Sequence, residues 1–133
     1  MYVRFIAPVP TARRNVDRGL FGPAYRLLWD DATPESLRRA IGHELDWFEA
    51  ELPVPRGRSF CVKSRKRWLA HGICWFRDDA RIMIARAYGL AALIDACGVP
   101  ITKRATRRPG QILYRDAWQI VAKPEEATPT LWC

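Results

Sequence analysis

Apolar positions recur at helical spacing in two stretches of this chain. Leu37, Ile41, Leu45 and Phe48 fall on one face of a segment spanning about residues 34–51. Thr33 is its N-cap candidate, Pro34 takes the first helical position and Glu35 stands in the first turn. Pro53 and Pro55 stop it. Met83, Ala87, Leu90, Ile94 and Cys97 line one face of a second stretch running from Ala80 to about Cys97. Asp78 or Asp79 is placed to cap its start, and Gly98, followed by Pro100, its end. Gly89 weakens this helix, a cost that close packing at that position would explain. A shorter helix is predicted from Pro23 through Tyr25, Leu27, Leu28 and Trp29.

Alternation marks the strands. Tyr2–Ala7 alternates around Arg4 and is expected to end at Pro8 and Pro10. Gly72–Phe76 reads as a buried strand, and Val99–Ala105, Gln111–Arg115 and Trp118–Ala122 as three more. Arg107-Arg108-Pro109-Gly110 supplies the first turn among these. Asp116-Ala117 supplies the second, without the Asn-Gly or Asp-Gly pair that tight hairpins favour. Residues 11–19 read as a basic loop or arm. Phe60–Lys63 reads as a short strand followed by a basic turn and a strand around Trp68, or with its surroundings as one long loop.

This order predicts an α+β domain with a mixed, mostly antiparallel sheet of about four to five strands and two main helices packed on one face. Gly72–Phe76, the second long helix and Val99–Ala105 suggest a right-handed crossover between parallel strands, with the remaining strands added as hairpin neighbours. With 133 residues, one domain over 1–124 is expected, with 125–133 as a loosely held tail on which Leu131 and Trp132 could dock.

Charge sharpens the picture. The chain carries a formal +8, unevenly distributed. Residues 27–51 hold Asp30, Asp31, Glu35, Glu44, Asp46, Glu49 and Glu51 against Arg38 and Arg39, whereas residues 52–77 hold only basic charge. The face bearing Glu44, Glu49 and Glu51 reads as the solvated back of the first long helix. Arg56, Arg58, Lys63, Arg65, Lys66 and Arg67 run up to Trp68 with no acid among them, and Lys103, Arg104, Arg107 and Arg108 form a second basic cluster. Basic side chains neutralise phosphates and aromatic faces stack unpaired bases, so these eleven positions are the candidate nucleic-acid contacts. A coding bias toward Arg competes as an explanation, because eighteen of the twenty-two basic residues are Arg.

The leading expectation is a small basic cytoplasmic protein that binds DNA or RNA through 56–68 and 103–108. The alternative is a protein-interaction module or inhibitor that sets the same surface against an acidic or nucleic-acid-binding partner. A third reading is a metal-dependent phosphoester-processing enzyme using Asp78 and Asp79. Helix capping explains that pair better, so no catalytic residue, metal ligand or cofactor is assigned. Cys61, Cys74, Cys97 and Cys133 have neither zinc-site nor disulfide-scaffold spacing, and Cys74 and Cys97 read as small buried hydrophobes. His71 and Cys74 would point to opposite faces of a strand, which argues against their acting together. Met1–Ala7 is too short and polar for a signal core, and no apolar run approaches a membrane span, so no membrane partner is expected.

Overall fold

A computed structural model describes residues 1–10, 17–55 and 73–124. Strand β1 (Tyr2–Pro10) leads to the two-residue β2 (Asp17–Arg18), then to helices α1 (Phe21–Leu28) and α2 (Glu35–Glu51). Strand β3 (Ile73–Arg77) precedes helix α3 (Arg81–Ala96), and β4 (Thr102–Thr106), β5 (Gln111–Arg115) and β6 (Gln119–Lys123) follow. The α+β class is the one the sequence predicts, and every strand pairing is antiparallel.

The pairings correct two details of topology. β1 is bonded to β3 through Tyr2 and Val3 and to β4 along residues 2–6, so it lies between them. β3 and β4 are therefore parallel to each other, as a crossover through α3 requires, but they are not neighbours. β5 joins β6, which joins β3, so β4 and β5 are not hairpin partners either. They run in the same direction at opposite edges of the order β4-β1-β3-β6-β5.

Only Arg107–Gly110 separate β4 from β5, a link from Thr106 to Gln111 of at most about 19 Å. Across a flat sheet the two edges would stand about 19 Å apart, with a further strand length of about 15 Å to recover, since Thr106 aligns with Arg77 and Gln111 lies beyond Ile73. The short link therefore holds the end of β4 and the start of β5 nearer than a flat sheet would.

The two faces carry separate apolar clusters. Val3, Phe5 and Phe76 pack with Leu20 and Ala24, with Ile41, Leu45 and Phe48 of α2, and with Met83, Ala87, Leu90, Ala91 and Ile94 of α3. These α2 and α3 positions are the stripes that the helical periodicity picks out. On the other face Ile73, Trp75, Ile120 and Ala122 form a second cluster, with the half-buried Tyr2 against it.

Local chemistry departs from the sequence reading at four points. β1 continues through Pro8 and Pro10, because its far end pairs with β2 rather than with the main sheet. Thr33 does not cap α2; it is buried, and its Oγ1 donates to the Leu27 carbonyl at 2.8 Å, tying down the end of α1. Asp78 and Asp79 do not cap α3, which starts from Ala80 without a side-chain cap. Glu44 is not on a solvated back but faces α3, where Oε1 meets Arg86 Nη1 at 3.2 Å. The β5–β6 turn needs no glycine, because Asp116 organises it by accepting hydrogen bonds from the Trp118 and Gln119 amides at 2.8 and 2.9 Å. The end of α3 is as expected: Gly98 at φ +88 closes it, with Val99 N–H donating to Ile94 and Gly98 N–H to Asp95, a Schellman arrangement.

Candidate nucleic-acid interface

Of the predicted contact residues, Lys103, Arg104, Arg107 and Arg108 belong to the described structure. Arg56, Arg58, Lys63, Arg65, Lys66, Arg67 and Trp68 lie outside the described residues, as do His71, Cys61, Cys133 and the tail from 125.

The β1–β4 register decides where the first two basic side chains point. Arg104 stands opposite Arg4, while Lys103 stands opposite Phe5, whose ring is buried under the helices. Strand alternation therefore sends Arg104 to the face away from the helices and Lys103 to the helix side. There the Lys103 Nζ sits 5.6 Å from the centre of the Tyr88 ring. Arg107 and Arg108 are exposed on the link that joins β4 to β5, and Arg108 N–H donates to Thr106 Oγ1 at 3.0 Å. The four cations thus run along one sheet edge and round its end rather than on a single face.

Four ion pairs occur among the described residues: the Met1 amine with Asp78, Arg39 with Glu35, Arg77 with Asp79, and Arg86 with Glu44. None involves Lys103, Arg104, Arg107 or Arg108. The sequence reading missed two neighbours of this edge. Arg4 lies inside an alternating strand and is brought opposite Arg104 only by the register. Tyr2 lies opposite Thr106, next to Arg107, with its ring half-buried. A strand periodicity marks both as alternating positions but cannot say which strand pairs with them.

Asp78 and Asp79 are each exposed and engaged by a cation, Asp78 by the Met1 amine at 3.5 Å and Asp79 by Arg77 at 3.2 Å. Among the described residues no three His, Cys, Asp or Glu side chains converge. Cys74 is half-buried; loss of hydration pushes its thiol up to about 11, against an opposing pull from Arg4 and with a smaller push from Asp116. A thiol so raised stays protonated at neutral pH. No described helix is long and apolar enough to cross a membrane.

No protein-family model, curated protein or solved structure matches this chain.

Proposed function

We propose that this protein binds single-stranded nucleic acid along the β4 edge and the 107–110 link. The observation that carries the reading is the run of cations Lys103, Arg104, Arg107 and Arg108 along one sheet edge and its end, none of them in an ion pair among the described residues. Arg104, Arg107 and Arg108 would track backbone phosphates, and the exposed side of Tyr2 would offer a face to a base. The segment 56–68 would extend the same electrostatic footprint in sequence. A single strand fits better than a duplex, because the cations follow a sheet edge and no described helix presents a basic face for a groove.

Fluorescence anisotropy with labelled single- and double-stranded DNA and RNA tests this reading. Binding that prefers a single strand and falls steeply between low and physiological salt is the expected result. Absence of binding at low salt would remove the nucleic-acid reading and leave an acidic protein as the partner for this surface, recoverable by pulldown after nuclease treatment.

A further inference from the structure

Tyr88, in the middle of α3, reaches both β1 and β4 on the helix side of the sheet. Its ring meets the buried ring of Phe5 edge to face, with centroids 5.0 Å apart and planes at 84°. Phe5 stands opposite Lys103 in the register, and Lys103 Nζ lies 5.6 Å from the centre of the Tyr88 ring. Tyr88 is nonetheless 49% exposed. The ring is thus fixed by a rigid neighbour and still half open to solvent.

The surroundings of this ring select its ligand. Lys103 stands beside it and Arg107 and Arg108 follow on the link, none of the three in an ion pair among the described residues. That charge repels a further cation, such as a basic protein segment, and attracts a group that brings negative charge. Ala105, the next residue of β4 on the helix side, is small and exposed, so no bulky β4 side chain separates Tyr88 from Arg107. A flat apolar ring joined to an anion is a nucleotide: its base stacks on an aromatic side chain while its phosphate lies among cations. Lys103 does not block the ring. A cation on an exposed ring is held more weakly than a stacked base, and the flexible lysine stem lets the ammonium swing aside.

We infer that Tyr88 is the stacking platform for one unpaired base of a strand bound along the β4 edge. This rests on the nucleic-acid reading and adds to it a basis for selectivity. A base inside a duplex is already stacked on its neighbours, so the platform favours a single strand. Every base has a π-face, so the platform favours no particular sequence.

Fluorescence anisotropy with a labelled single-stranded DNA, and with an abasic strand of the same length, tests the inference. Tyr88→Ala should weaken binding to the intact strand by about fivefold to a hundredfold, with the salt slope of wild type, since no phosphate contact is lost. Tyr88→Leu keeps an apolar contact with Phe5 and should weaken binding alike, whereas Tyr88→Phe should bind as wild type does. On the abasic strand wild type and Tyr88→Ala should bind equally. All three variants should be folded by circular dichroism. If wild type binds the intact strand and folded Tyr88→Ala and Tyr88→Leu bind it as tightly, the platform is overturned while the cationic edge stands. An equal loss on the abasic strand overturns the platform too. If wild type binds neither strand, the nucleic-acid reading itself falls and the platform with it.

Discussion

Glu44 on α2 and Arg86 on α3 meet at 3.2 Å, and the same guanidinium lies 4.5 Å from the centre of the Trp47 ring, one turn along α2 from Glu44. One cation thus joins the two long helices by an ion pair and a ring contact at once. Glu44 is well covered, and its second oxygen, Oε2, is buried without a hydrogen-bond partner. This places the pair between an exposed bridge and a fully buried one. Glu44→Leu and Arg86→Leu are each expected to lower stability, and a double-mutant cycle in urea should give a coupling of about 1–2 kcal/mol. A coupling near zero would mean that Arg86 is held by Trp47 alone.

Asp116 is the hub of the β5–β6 turn. Besides the two amides, it accepts from Tyr114 Oη at 2.8 Å and Gln119 Nε2 at 3.1 Å, and Gln119 reaches across to the Pro53 carbonyl at 2.6 Å. Partial burial raises the carboxyl pKa, but the hydrogen bonds from Trp118, Tyr114 and Gln119 outweigh it and hold it below the ordinary range. A depressed folded-state pKa contributes stability above the unfolded value of about 4, lost as pH falls through the folded value. Asp116→Ala should cost about 2–3 kcal/mol at neutral pH. The stabilities of wild type and Asp116→Asn should converge as pH falls below about 4. Parallel curves over that range would show that the turn does not depend on the carboxylate.

The partner's titration marks the alkaline limit. Hydrogen bonding to Asp116 raises the Tyr114 pKa above its usual value of 10. The associated stability is complete below the unfolded value and declines as pH rises through the folded one. Tyr114→Phe should remove this alkaline component in a pH series of thermal melts, leaving the slope flatter than wild type above about pH 10.

Two glycines with positive φ have different tolerances. Gly98 has φ +88 and open space around it, so Gly98→Ala should cost about 1 kcal/mol, the left-handed backbone alone. Gly110 has φ +105, and a Cβ there would overlap the Lys123 carbonyl oxygen and crowd Pro124. Gly110→Ala should therefore cost about 3 kcal/mol or more, with loss of β5–β6 amide protection in hydrogen exchange. Equal costs at the two sites would contradict the close approach of the 107–110 link to the end of β6.

Much of this fold is legible in the residues because helix faces are local. The stripes Ile41-Leu45-Phe48 and Met83-Ala87-Leu90-Ile94 are fixed by 3.6-residue periodicity and are buried as that pattern requires. Glu44 could have been read too, since it falls between Ile41 and Phe48 on the same face. What escapes is non-local. Nothing near Val3 or Phe5 says that β1 inserts between β3 and β4, and nothing near Thr106 says that its neighbour across the strand is Tyr2. The basic residues of 103–108 were visible as a cluster, but the opposite facing of Lys103 and Arg104 follows only from the register. Thr33 escapes for a related reason: a short polar side chain bonds whichever backbone group the tertiary fold brings near.

The most direct test of the proposed interface is the salt dependence of single-stranded RNA binding by wild type and by a Lys103→Ala, Arg104→Ala, Arg107→Ala, Arg108→Ala variant. If Arg104, Arg107 and Arg108 contact phosphates, the logarithm of affinity against the logarithm of salt should lose about 2 units of slope, at roughly 0.7 per contact. The fold, read by circular dichroism, should be unchanged. A folded variant with the wild-type affinity and slope would contradict a role for the β4 edge in binding.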